Sequence, residues 1–204
     1  MEPRYIFIGG APTTGKSTIA KALAHRLNLP LMATDQIRAM VKPYSNPERH
    51  PDLYHADGLS AEAFFEKYTP QQVADMEFGQ GAELWPAIMA LLADNYDWPH
   101  GGIIEGVHIQ PGLFFNADFT QKKFSRAIFL VDDDPARIRD VVYNRGLYGD
   151  PHTYSDAVRE MEIEWVQLFI KRLRAEAAVF NMPCLDVTKT DDDITHVLNA
   201  LDLS

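Results

Sequence analysis

Short runs of β-branched and aromatic residues alternate along this chain with longer stretches whose apolar residues recur every three or four positions, the periods of a strand and of one helix face. Arg4-Tyr5-Ile6-Phe7-Ile8 reads as a buried strand, and Ile19, Leu23 and Leu27, with Ala20 and Ala24 alongside, line one face of a following helix. Asn28 and Pro30 end that pattern, and Leu29 to Ala33 predicts a second strand leading into Thr34-Asp35-Gln36-Ile37-Arg38. Pro43, Pro47 and Pro51 among polar residues make Pro43 to Asp57 a loop. Thr69-Pro70-Gln71-Gln72 supplies an N-cap, a proline at the first helical position and a capping-box glutamine. The helical region it opens extends to about Asn95, with Gly79, Gly81 and Pro86 expected to break or kink it.

Gly101 to Ile109 reads as a third strand running into a loop, and Ala127 to Val131 as a fourth. Asp134-Pro135 starts a helix, with aspartate at the cap and proline just inside it. After a polar loop from Gly146 to Tyr154, a long helix begins near Ser155, with Val158, Met161, Trp165, Leu168 and Leu173 close to one face. Its acidic first half and basic second half match the helix dipole. Pro183 to Val187 is the last strand, and Asp191 or Asp192 caps a final short helix. Strands alternating in this way with helices predict a parallel α/β sheet covered on both faces.

Between the first strand and its helix lies GAPTTGKS, Gly10 to Ser17, which meets the phosphate-loop pattern G-x-x-x-x-G-K-[ST] at every fixed position. Gly10 and Gly15 can adopt backbone conformations closed to residues with a Cβ. The N–H groups of Ala11, Pro12's neighbours Thr13 and Thr14, and the helix start through Thr18 then converge on an anion. Lys16 is placed to reach the β- and γ-phosphates of a nucleoside triphosphate, and the Ser17 hydroxyl to ligate Mg²⁺.

Ligands of such sheets lie beyond the carboxyl ends of the strands. Asp35 and Arg38 follow the second strand on one face of a helical turn, where Asp35 takes a proton from a substrate hydroxyl or holds a metal-bound water and Arg38 binds an anion. The competing structural reading makes Asp35 an N-cap with Arg38 as its surface partner. Glu105 ends an otherwise apolar strand, a costly place for a carboxylate unless it is paired or near a metal, so it is a candidate for Mg²⁺ assistance or acid–base work. Gly106 would admit a ligand close to the backbone, and His108 is either directed into the same cleft or satisfied structurally. Arg145, on the core-facing side of its helix with Ile138, Val141 and Val142, is placed to cover the phosphates; Arg137 and Arg139 are weaker candidates. His50, Asp52, His55 and Asp57 match no familiar metal spacing and read instead as part of a segment covering the substrate.

Composition narrows the partners. The 204 residues suffice for one core, and a net charge of −10 with no basic, aromatic-interleaved stripe argues against nucleic acid. The chain has no run of eighteen apolar residues and no basic amino-terminal stretch before an apolar one, so a cytoplasmic protein with no membrane partner is expected. The single cysteine, Cys184, lies among apolar neighbours and reads as a buried thiol. Any small anionic substrate must be held by a few placed arginines. Thr188-Lys189-Thr190-Asp191 imitates the guanine-reading element of GTPases, yet no D-x-x-G occurs, and it reads better as a loop beside the nucleotide base.

GGAPTTGKSTIAKALA, the TDQIR stretch from Thr34 to Arg38, and IIEGVHIQPG from Ile103 to Gly112 together resemble the 2-phosphoglycerate kinase family of P-loop kinases, the third segment being the specific one. The resemblance implies a P-loop NTPase three-layer αβα sandwich with a five-stranded parallel sheet, like that of nucleoside-monophosphate kinases. It implies one domain over residues 1–204 with an insert at about 42–68 and a helical lid at about 135–155. It also implies ATP and Mg²⁺ as cofactors and transfer of the γ-phosphoryl to a hydroxyl of a small phosphorylated hydroxy acid. Lys16, Ser17, Asp35, Glu105 and the lid arginines carry the roles argued above. The residues themselves leave open another acceptor, such as a nucleoside, a sugar acid, an antibiotic or a nucleotide-sugar. They also leave open a nucleotide-binding regulator that signals through a partner.

Overall fold

The computed structural model describes residues 4–93, 98–117, 124–190 and 192–203. Its strands are β1 (Arg4–Gly10), β2 (Leu31–Ala33), β3 (Gly101–Gly106), β4 (Phe124–Val131) and β5 (Cys184–Asp186), in one sheet of order β2-β3-β1-β4-β5. Every neighbouring pair is parallel, with Ile6 in register with Ile103 on one side and Arg126 on the other.

Alternation along the strands sends side chains to two separate cores. Ile6, Ile8, Ile103, Ile128 and Leu130 pack against α1 (Lys16–Leu27) through Ile19 and Leu23, and against α8 (Asp192–Ala200) through Val197 and Leu198. Tyr5, Phe7, Ile104, Phe129 and Val131 face the larger core, formed by the long helices α4 (Pro70–Ala93) and α7 (Asp156–Val179). The same core receives Ile37 from α2 (Thr34–Val41), Phe64 and Phe65 from α3 (Ala61–Lys67), and Ile138 and Val142 from α6 (Pro135–Arg145). Helix α5 (Pro111–Phe115) adds Phe114, whose ring meets Phe7 edge-on at 5.2 Å. A sheet buried on both faces requires apolar residues at consecutive strand positions, as in β1 and β3.

The predicted caps form. Thr69 Oγ1 accepts from Gln72 N at 3.3 Å while Gln72 Oε1 accepts from Thr69 N at 2.9 Å. Asp134 accepts from Ala136 N at 2.9 Å to start α6, and Ser155 accepts from Val158 N at 3.4 Å to start α7.

Elsewhere the structure departs from the sequence expectation. Asn28 adopts a left-handed conformation at the end of α1 and the Leu29 N–H still bonds to Ala24 O, so β2 begins at Leu31 rather than Leu29. β4 starts earlier than Ala127, at Phe124. Helix α4 is unbroken through Gly79, Gly81 and Pro86, and its expected end at Asn95 lies outside the described residues. Those glycines are docking points: a Cβ on Gly79 would lie 1.8 Å from Asp52 Oδ2, and one on Gly81 would lie 2.1 Å from Gln110 Nε2. The expected loop from Pro43 to Asp57 contains 3-10 turns at Lys42–Tyr44 and Pro51–Leu53. Of the two expected caps for α8, Asp191 lies outside the described residues and Asp192 is the first helical residue; Asp193 reaches back to accept from Thr188 N and Lys189 N at 3.0 and 2.7 Å. Cys184 is half-buried rather than buried, and burial raises its thiol pKa, which suits an unreactive thiol.

Candidate functional site

The carboxyl ends of β1, β2 and β3 open onto a cleft of about 430 Å³. Its first wall is the loop between β1 and α1. Gly15 has φ 74°, in the left-handed region, and the space a Cβ would occupy there is open. Gly10 is needed for packing, because a Cβ would lie 2.6 Å from Leu130 O. Within the loop, Thr14 Oγ1 donates to Ala11 O at 2.8 Å and Lys16 Nζ to the same carbonyl at 3.3 Å. Arg145, at the end of α6, donates to Pro12 O at 3.0 Å, so its guanidinium rests on the loop. Gly15, Lys16, Ser17 and Thr18 face the cleft, with the amino terminus of α1 behind them.

Asp35 and Arg38 project from α2 into the same space. Asp35 is not the cap: Ala33 holds that position, with Gln36 Oε1 accepting from Ala33 N at 3.2 Å. Neither Asp35 nor Arg38 forms an ion pair with a described residue. Glu105, 5% exposed, is the last residue but one of β3. Burial draws the Lys16 ammonium below its ordinary pKa, and the charges of Glu105 and then Asp35 push it back up. Ser17 and Asp35 line the cleft, Glu105 does not, and the charges of both carboxylates act on Lys16. A hydroxyl together with carboxylates is the donor chemistry that a hard cation such as Mg²⁺ accepts when phosphate oxygens complete it. Among the described residues no cluster of three or more His, Cys, Asp or Glu makes a metal site alone, and His50, Asp52, His55 and Asp57 form none.

Two sequence candidates are committed to packing or to internal hydrogen bonds. The space beside Gly106 is filled by Thr34, since a Cβ would lie 1.7 Å from Thr34 Oγ1, so the missing side chain lets α2 pack on β3 and leaves no room for a ligand there. His108 borders the cleft but is 1% exposed and bonded on both ring nitrogens, Nδ1 to Thr34 Oγ1 at 2.7 Å and Nε2 to Gln80 Oε1 at 3.1 Å. Burial pushes its pKa down to about 4, so the ring is neutral at physiological pH. The Gln80 amide N–H in turn donates to His55 Nε2 at 3.2 Å. This fixes the tautomers of a chain running Thr34, His108, Gln80, His55. Arg137 binds the buried Asp132 at 2.7 Å and Arg139 pairs with Glu160, both away from the cleft.

Several cleft residues were missed from the sequence. Glu77 and Gln80 come from α4, Leu147 and Tyr148 from the segment after α6, and Trp165 from α7. Burial raises the Glu77 carboxyl to about 7, with Arg38 opposing the shift. A carboxylate and an amide on the stripe shared with Val73 and Leu84 are the signal that would have found the first two.

No family model matches the chain. It aligns over 98% of its length with the 2-phosphoglycerate kinase of Pyrococcus horikoshii at 23% identity, covering 64% of that protein. Over 53% of its length it is 31% identical to the 2-phosphoglycerate kinase of Methanococcus vannielii and 32% to that of Thermococcus kodakarensis, covering 36% and 38% of those proteins. The chain is similar to 2-phosphoglycerate kinases. It spans less than two thirds of the length of these relatives. Among solved structures, a gluconokinase from Sinorhizobium meliloti superposes with a TM-score of 0.58 at 14% identity, over 98% of this chain and 92% of that one. A Thermus thermophilus protein superposes with a TM-score of 0.51 at 18% identity over the whole of both chains. The sheet order, the loop after β1 and these superpositions make this a P-loop NTPase αβα fold. Among the described residues no helix is long and apolar enough to cross a membrane.

Proposed function

We propose that the protein is an ATP- and Mg²⁺-dependent kinase that transfers the γ-phosphoryl group to a hydroxyl of a small anionic metabolite, as the names of its 2-phosphoglycerate kinase relatives suggest. One observation carries this reading: the phosphate loop with Lys16 and the unpaired Arg38 with Asp35 line a single cleft, so two anionic ligands meet there. Its work belongs in the cytoplasm, where ATP is held.

Lys16 leaves the Ala11 carbonyl to meet the β- and γ-phosphates, and the loop N–H groups hold the rest of the triphosphate. Ser17 and Glu105 are the residues that would hold Mg²⁺, which supplies charge neutralisation when bound. Arg38 fixes the anionic group of the acceptor. Asp35 takes the proton of its hydroxyl as the new oxygen–phosphorus bond forms and the bond to the ADP oxygen breaks. Arg145, already docked on Pro12, neutralises charge on the group in transfer. The 42–68 insert and the 135–155 segment cover the cleft and exclude water.

The test is acceptor-dependent ADP formation from Mg²⁺ATP across phosphorylated hydroxy acids, sugar acids and nucleosides. Turnover with an anionic hydroxy acid is expected. Tight nucleotide binding without turnover on any acceptor, joined to a stable complex with a partner protein, would replace the kinase with a regulator.

A further inference from the structure

Three buried polar atoms of residues that line the cleft, Tyr148 Oη, Trp165 Nε1 and His55 Nδ1, have no hydrogen-bond partner among the described residues. A buried donor left unpaired costs stability, so its retention calls for a ligand that completes it. The Tyr148 and Trp165 side chains line the same cleft as Arg38.

The rings of these residues are already committed. Tyr148 packs on Phe64 and Phe65 with centroids at 5.0 and 5.6 Å, and Trp165 stands edge-on to Phe169 at 6.3 Å. Their polar atoms are what remain for a ligand, which favours hydrogen bonding over stacking. Trp Nε1 can only donate, so it demands an acceptor oxygen. On the neighbouring floor Thr34, His108 and Gln80 bond to one another and to His55 Nε2, which leaves His55 Nδ1 as a further unpaired donor beside this pair.

We infer that Tyr148 and Trp165 are specificity residues of the acceptor site. They select an aliphatic hydroxy acid that presents one anionic group to Arg38 and a second oxygen-bearing group to Tyr148 Oη and Trp165 Nε1. A flat acceptor such as a nucleoside would have to stack on rings already packed against Phe64, Phe65 and Phe169. The inference rests on the kinase reading for the word acceptor, but binding alone tests it.

Calorimetric titration of the full chain with 2-phosphoglycerate, D-glycerate and adenosine, each with and without Mg²⁺ATP, reads it directly. The native protein should bind an acid of this pair and not adenosine. Tyr148→Phe, which removes the hydroxyl and keeps the ring packing, should weaken that acid about tenfold, the usual worth of one such bond to an anion. Mg²⁺ATP affinity should stay within about twofold and the ligand-free Tm should be unchanged or higher, because no internal bond is lost. Trp165→Phe should weaken the acid similarly while costing some stability through lost volume. Unchanged acid affinity in Tyr148→Phe, preference for adenosine, or no binding of any of the three overturns the inference. The kinase reading is judged separately: acid binding without ADP formation retires it and leaves the wall intact, whereas ADP formation with an unaltered acceptor KM in Tyr148→Phe does the reverse.

Discussion

On one wall of the cleft, Lys16 and Thr14 both donate to Ala11 O and Arg145 closes on Pro12 O, whereas on a second wall Tyr148 Oη and Trp165 Nε1 are left without a partner among the described residues. The first wall is almost complete in itself, Thr13 Oγ1 being its one buried polar atom without a bond among the described residues. Apart from Arg145 it is also local, because consecutive residues of one loop and one helix start make the rest of it. The second wall is assembled from α2, α4, the segment after α6, and α7, which are far apart in sequence. A triphosphate presents the same oxygens to every protein that binds it, so a short fixed motif suffices. An acceptor differs from one enzyme to the next, and its wall is built from side chains that can change without disturbing the sheet.

Removing the ammonium group breaks the first wall most severely. Lys16→Ala should lower turnover by about 10³-fold or more, the scale of losing a charged donor aimed at the transferring group. The variant should still bind the acceptor, because Arg38, Tyr148 and Trp165 are untouched. Full activity in a stopped ADP-release assay would remove the triphosphate from this loop.

The next largest effect separates the two carboxylates between the walls. Asp35 lines the cleft beside Arg38, while Glu105 is buried near the end of β3 and is the foremost charge acting on Lys16. Asp35→Asn should reduce kcat by about 10²–10³-fold with Mg²⁺ATP affinity nearly unchanged, as for loss of a general base. Glu105→Gln should act the other way, raising the Mg²⁺ requirement and the KM for ATP. Equal losses of catalysis and ATP binding in Asp35→Asn would make that residue structural.

The contrast between local and assembled walls also explains what was legible in the sequence. The five strands, the phosphate loop and the caps at Thr69, Asp134 and Ser155 are encoded by neighbouring residues, so pattern and spacing find them. Lys16, Asp35, Arg38 and Arg145 follow from their positions at element ends and share the cleft. Trp165 reads correctly as a core residue, but helical periodicity cannot tell which core ring has its polar edge on a cavity. Gly79 and Gly81 read as breakers because the chains that press on them, at Asp52 and Gln110, are distant in sequence. Gly106 has the reverse history: a glycine beside the site whose space belongs to Thr34.

The smallest predicted effect is on stability and sharpens the second wall. Glu162 of α7 is wholly buried, accepts from Tyr154 Oη at 3.0 Å and from the backbone N–H groups of Leu147 and Tyr148, and so ties the segment carrying Tyr148 to the helix. Burial raises its carboxyl from 4.5 to about 7. The folded state therefore holds this proton more tightly than the unfolded chain: the stabilisation is full below about pH 4.5 and is lost as pH rises through about 7. Glu162→Gln keeps an acceptor for Tyr154 without the titration. The native protein should match it in stability near pH 4.5 and fall behind by up to roughly 3 kcal/mol above neutrality. Glu77 contributes a slope of the same sign and His108, held near 4, one of the opposite sign, so the difference between the two proteins is the quantity to follow in urea melts from pH 4 to 8. Parallel stability–pH curves would mean that Glu162 does not bind its proton more tightly in the folded state than in the unfolded chain.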